Sequence, residues 1–234
     1  MTDITGRVAL VTGANRGLGA AFVTALLERG ASKVYAAARR PETVTSRDPR
    51  VVPVELDVTD ADSIQRAAAI ATDVSVLVNN AGIAANQSLV TGDLDEIHRE
   101  LDTNFWGPVL VTRAFAPVLE ANGGGAIVNM HSALSWLATG SYSATKAALW
   151  SASNSARVEL APAGIQVVGV HVGYVDTEMA AGAPGVKVPP SQVAEEALDA
   201  VANDKAEAVV GDTAQLVKSR LHEDVRVLYP QLAK

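Results

Sequence analysis

Tyr142 and Lys146 stand four residues apart in the run Tyr142-Ser143-Ala144-Thr145-Lys146. On a helix, that spacing puts a phenol and an ammonium on the same face. Tyrosine ordinarily ionises near pH 10, too high for an efficient base at neutrality. An adjacent ammonium favours the phenolate. Such a pair can give a proton to the alkoxide that develops as a ketone or aldehyde is reduced, or take one from an alcohol in reverse. Ser132, ten positions earlier and just after the apolar run 126–130, can hydrogen-bond the substrate oxygen and orient it. A Tyr–Lys pair on a helix is ordinarily a surface pair, so this chemistry needs a hydride donor and a surrounding site.

The segment Thr12-Gly13-Ala14-Asn15-Arg16-Gly17-Leu18-Gly19 supplies a place for such a donor. It follows an apolar run and opens a segment carrying Leu18, Phe22, Leu26 and Leu27 at helical spacing. Glycines there permit a tight turn and the close approach of a phosphate. The free N–H groups and partial positive charge of a helix amino end then hold the phosphate.

The spacing TGxxxGxG resembles that of the short-chain dehydrogenase/reductase family, and further matches follow in order. Asp57 resembles the family aspartate beside the adenine. Asn79-Asn80-Ala81-Gly82 resembles the NNAG stretch, Asn104 the helix asparagine, and Tyr142 to Lys146 the YxxxK motif with its preceding serine. The resemblance covers about residues 5–178. It implies a catalytic set of Asn104, Ser132, Tyr142 and Lys146. It also implies a nucleotide site drawn from Gly13, Asn15, Arg16, Gly17, Leu18, Gly19, Arg39, Asp57, Val58, Asn80, Ala81, Gly82, Gly173, Val175 and Thr177, together with Tyr142 and Lys146. Within that set the lysine also holds the nicotinamide ribose, and the main chain at Asn104 supports a relay water. Two departures stand out. Val172-Gly173 replaces the family's Pro-Gly, which leaves the start of the next loop less rigid. The Ser132–Tyr142 interval is also shorter than usual, so the loop over the substrate should be short.

Those residues need elements to hold them. Short apolar runs, the mark of strands buried in a parallel sheet, occur at 7–12, 33–38, 51–56, 74–79, 126–130, 165–171 and 208–210. Helical patterns lie between most of them: 17–29, 60–71 behind the cap-like Asp60, 93–120, and 142–160 closed by Pro162 and Gly164. Pro117 predicts a bend or an early end to the third of these. Strands alternating with helices predict an α/β fold, a doubly wound, Rossmann-like parallel sheet of about seven strands with helices on both faces. Residues 1–234 read as one domain, and 180–190 as its most mobile loop.

Composition narrows the functions. The chain has no cysteine, which excludes disulfides and thiol nucleophiles, and its four histidines lack metal-ligand spacing. A net charge of −7 argues against nucleic acid as a partner. No apolar run approaches a membrane span, and the polar start leaves no room for a signal peptide, so a cytoplasmic enzyme is expected.

The second strand ends Ala36-Ala37-Ala38-Arg39-Arg40, with no acid to repel a 2′-phosphate. Arg39, with Arg16 opposite, therefore predicts NADP(H) as cofactor. Three functions compete: a carbonyl reductase or alcohol dehydrogenase, a relative with enoyl-reductase or epimerase chemistry, and a non-catalytic NADP sensor. Sensors lose the tyrosine or the lysine, and both are present here. Leu134, Trp136, Leu137 and Met179 predict an apolar pocket wall, with Lys187 the one cation of the 180–190 loop. A small neutral ketone or aldehyde is the expected substrate. The resemblance further implies a homodimer or homotetramer built on the helices at 93–120 and 142–160.

Overall fold

The computed structural model describes residues 2–232. Seven strands form one parallel sheet in the order β3-β2-β1-β4-β5-β6-β7. They are β1 (Val8–Thr12), β2 (Lys33–Ala38), β3 (Val51–Glu55), β4 (Val76–Asn79), β5 (Gly125–Met130), β6 (Ile165–Val172) and β7 (Glu207–Val210). The order reverses between β1 and β4, where Val11 pairs with Val78. A crevice opens outside the carboxyl ends of the strands at such a reversal, and ligands bind there.

Side chains alternate across the sheet, so each strand feeds two cores. Ala9 and Val11 of β1 join Val34, Val78, Val128 and Val170 under α1 (Gly17–Glu28) and the helix 190–202. Leu10, on the other face, joins Leu77 and Ile127 beneath Ile64, Phe115 and Leu119. Those three come from α2 (Ala61–Ile70), which Asp60 caps by accepting from the Asp62 N–H, and from the helix that carries Pro117.

The helix expected over 93–120 forms, with a change of pitch inside it. α3 (Leu94–Leu101) passes into a π-turn at Asp102–Trp106, and α4 (Gly107–Ala121) follows. Asn104 sits buried in that turn. Pro117 does not end α4, which runs four residues beyond it. The proline is solvent-facing and forgoes a single hydrogen bond, while buried Phe115 and Leu119 flank it. α5 (Ser141–Leu160) carries the Tyr–Lys pair, and Gly164 beyond it takes the left-handed conformation, φ +68°.

Three helices were not read from the sequence: α6 (Pro190–Ala202), α7 (Gly211–Ser219) and α8 (Val225–Leu228). The last brings Tyr229 onto the loop before α5, where its hydroxyl accepts from the Ala138 N–H at 2.7 Å.

Candidate active site

The residues expected to do chemistry gather along the carboxyl edge of the sheet. Residues 13–19 follow β1, Arg39 follows β2, Asp57 and Val58 follow β3, and residues 80–82 follow β4. Ser132 follows β5, and Gly173, Val175 and Thr177 follow β6.

The glycine turn is built for close approach. Gly13 and Gly17 adopt left-handed φ values of +65° and +54°. A methyl group on Gly19 would stand 2.1 Å from the Gly13 carbonyl oxygen, so only glycine lets α1 start this close to the turn. Buried Thr12 holds the next loop: its hydroxyl accepts from the N–H groups of Asn80 and Ala81 at 2.9 and 3.0 Å. The Asn80 amide in turn donates to the Thr12 carbonyl at 2.9 Å. The resulting cradle, with the amino end of α1 open behind it, fits a dinucleotide phosphate.

Asp57 Oδ1 accepts from the N–H and hydroxyl of Thr59, closing the turn after β3. Arg39 is exposed at the end of β2. Arg16, exposed at the start of α1, pairs with Glu178, an acid that the sequence reading passed over. The two lie 162 positions apart, and only the fold brings them together.

Around the expected catalytic group, Lys146 is buried and its Nζ donates to the Met130 carbonyl at 2.7 Å. The Nζ lies 5.6 Å from the Tyr142 ring centroid, so the pair shares a face as the spacing required. Ser132 caps a short turn, its oxygen accepting from the Leu134 N–H at 3.1 Å. Asn104 is fully engaged: its amide oxygen accepts from the Ile83 N–H, and its nitrogen donates to the Ile83 carbonyl and Thr145 Oγ1.

The ionisation differs from expectation. Burial, with Glu100 adding to it, pushes Tyr142 up to about 12, and a hydrogen bond with Ser132 only partly opposes them. Burial pulls Lys146 down to about 8, against the pull of Glu100. In the chain alone, the ammonium does not lower the tyrosine as the spacing had predicted, because desolvation is the larger effect.

Trp136 also departs from its expected place in the pocket wall. It is buried and stacks on His171 with centroids 3.8 Å apart and planes at 11°. His171 and His131 lie 3.1 Å apart behind Ser132. Trp150 is held within the chain, donating to Glu207 at 3.0 Å, whereas Trp106 is half exposed. Leu134 and Leu137 remain partly exposed and Met179 more so, so they can still line a cleft.

A parallel sheet with a glycine cradle at its reversal and a Tyr–Lys–Ser group beside it defines a nucleotide-dependent oxidoreductase site. The family model of short chain dehydrogenases matches residues 7–184, and the chain belongs to that family. A cis-4-hydroxycyclohexanecarboxylate dehydrogenase of Sinomonas cyclohexanicum is 38% identical, covering 88% of this chain and 92% of the relative. A crystal structure of a short chain dehydrogenase from Burkholderia cenocepacia in complex with NADP superimposes with a TM-score of 0.94 at 40% identity, covering 99% of each chain. The NADPH-bound carbonyl reductase from chicken fatty liver gives a TM-score of 0.78 at 29% identity, covering 86% of this chain and 93% of that one.

Proposed function

We propose that the protein is an NADP(H)-dependent oxidoreductase that interconverts a small neutral ketone or aldehyde and its alcohol. The observation that carries this reading is the placement of Tyr142, Lys146 and Ser132 on one side of the glycine cradle. When bound, the nicotinamide supplies or accepts the hydride. Tyr142 moves the proton at the substrate oxygen, and Ser132 orients that oxygen. Lys146, anchored on the Met130 carbonyl, holds a positive charge beside the phenol and a donor toward the ribose. Asn104 in its π-turn shapes the ground between Ile83 and α5 and, on the family pattern, supports a relay water through its main chain.

NADP(H) is favoured over NAD(H) because Ala38 leaves the end of β2 without an acid and Arg39 stands exposed there. The NADP and NADPH named with the two solved relatives support the same choice. On this reading Asp57 and Val58 flank the adenine, residues 13–19 and 80–82 hold the phosphates and ribose, and Gly173, Val175 and Thr177 meet the nicotinamide end.

A neutral substrate fits the state of the one cation in the 180–190 loop: Lys187 Nζ is turned onto the Ala181 carbonyl at 3.1 Å. The relative named for a hydroxycyclohexanecarboxylate offers the sharpest contrast. An aryl aldehyde, an aryl ketone and 4-oxocyclohexanecarboxylate are therefore compared as substrates, following NADPH absorbance in both directions. The neutral carbonyls should be turned over at least tenfold more efficiently. A preference for the carboxylate would reverse the substrate assignment, and no turnover of any carbonyl or alcohol would remove the redox reading.

A further inference from the structure

Glu100, on α3, is 0% exposed. Carboxylates are seldom buried unless they are partnered. Its helix neighbour Arg99 is turned to Glu96. Glu100 instead collects three donors from two other segments. Its Oε1 accepts from the N–H groups of Ala85 and Asn86 at 2.6 and 3.3 Å, and its Oε2 accepts from the Ser141 hydroxyl.

Ser141 is the first residue of α5 and the neighbour of Tyr142. Its oxygen also accepts from the Gln87 N–H at 2.9 Å, and its own N–H donates to the Gln87 carbonyl at 2.9 Å. Gly140, with φ +111°, lets the chain pass there: a methyl group on it would stand 2.6 Å from the Gln87 carbonyl oxygen. The loop after β4 is thus fastened to the start of the catalytic helix, and Glu100 lies at the centre of the fastening.

Its charge also reaches that helix. Glu100 raises Lys146 against burial and raises Tyr142 together with burial. The other charged or titratable groups in this neighbourhood are His131 just after β5, which feels the Lys146 charge, and the Glu96–Arg99 pair on the outer side of α3.

We propose that Glu100 is a positioning residue of the active site: it fixes the first turn of α5 beneath Tyr142 and supplies the counter-charge that keeps Lys146 an ammonium at neutral pH. Its kinetic consequences rest on the reading of Tyr142 and Lys146 given above, whereas its electrostatic consequence does not. The cost is a tyrosine that ionises less readily, so the site gives up some acidity of the phenol to retain the lysine charge.

The test follows the Cε signals of carbon-13-labelled lysine by NMR across pH in the cofactor-free chain, with Lys146→Arg to assign the signal that titrates near 8. In Glu100→Gln that midpoint should fall by about one pH unit, and in Glu100→Asp it should stay close to wild type. An unchanged midpoint in Glu100→Gln overturns the counter-charge. Ser141→Ala keeps the carboxylate and loosens the fastening. It should leave the Lys146 midpoint in place and lower kcat about tenfold with little change in NADPH affinity. Ser141→Ala at full kcat overturns the positioning role, and it remains decisive if Glu100→Gln does not fold. A moved midpoint in a chain that turns over no carbonyl upholds the counter-charge and counts against the redox reading alone.

Discussion

Burial decides the ionisation of Tyr142 and Lys146, and it pushes each toward its neutral form. The spacing in the sequence showed that the two share a helix face. It could not show that Glu100, 42 positions before the tyrosine, would add to the effect of burial on Tyr142 and oppose it on Lys146, because only the fold brings Glu100 near them. Glu178 is a second such residue. It occupies Arg16, the arginine expected to approach a 2′-phosphate, in a pair exposed on both sides. Exposed pairs are weak and screened by salt. Glu178→Gln should therefore tighten NADPH binding only about two- to fivefold at low salt and leave NADH unchanged. Ala38→Asp should act in the opposite sense, placing an acid against the 2′-phosphate and shifting preference toward NADH by tenfold or more. Fluorescence titration with both cofactors measures the two effects. Tighter NADH binding in Glu178→Gln, or an unmoved preference in Ala38→Asp, would place the 2′-phosphate elsewhere.

The strands were legible to within two residues at each end, because a fully buried parallel strand has to be an apolar run. Helix boundaries were legible where a cap or a terminator marks them, as at Asp60 and Gly164. The π-turn at Asp102–Trp106 leaves no such mark. It inserts a wider helical turn between the charged α3 and the more apolar α4, without glycine or proline inside it, and it is the element that delivers Asn104. The glycine turn was legible in full, since each glycine answers a particular backbone demand. Gly19 makes the strictest one. Gly19→Ala forces a methyl group against the Gly13 carbonyl, so either the turn or α1 has to move. That variant should lose about 1–3 kcal/mol of stability and most of its NADPH affinity. Gly182→Ala, where a methyl group meets nothing within 4 Å, is the control and should change neither. Thermal melts with and without NADPH test the pair, and wild-type affinity in Gly19→Ala would contradict the cradle.

Across the molecule, a buried polar cluster links the sheet to the C-terminal helices. His131 and His171 lie behind Ser132, and Glu207 on β7 accepts from Trp150 and pairs with Lys218 of α7. The chemistry read from the sequence leaves no role for either histidine, which makes both structural or merely near the site, but their partners, 22 to 40 positions away, emerge only in the fold. Burial, with His171 adding to it, holds His131 well below the ordinary histidine value, so the folded chain keeps this ring neutral. The unfolded chain protonates it as pH falls through about 6.5, and stability is lost from there downward. Glu207 lies far below the ordinary carboxylate range, chiefly through His171. The stability it contributes is present above about 4.5 and fades below it. Melting temperature should therefore begin to fall near pH 6.5 and fall more steeply below 4.5, with the upper step absent in His131→Gln. A flat profile from neutrality down to pH 5 would mean that His131 is not held neutral.

The account's central claim is that Tyr142 moves the proton at a carbonyl oxygen while the cradle holds NADP(H). The most direct test is the single-turnover rate of NADPH-dependent reduction of a neutral carbonyl, compared between wild type and Tyr142→Phe, with NADPH affinity measured on both. The variant removes one hydroxyl from a half-buried ring and leaves the glycine turn, Thr12 and Asn80 in place. Its affinity should stay within about twofold of wild type while its rate falls by roughly 10²–10⁴-fold. A Tyr142→Phe protein that binds NADPH normally and keeps more than about a tenth of the rate would contradict the claim.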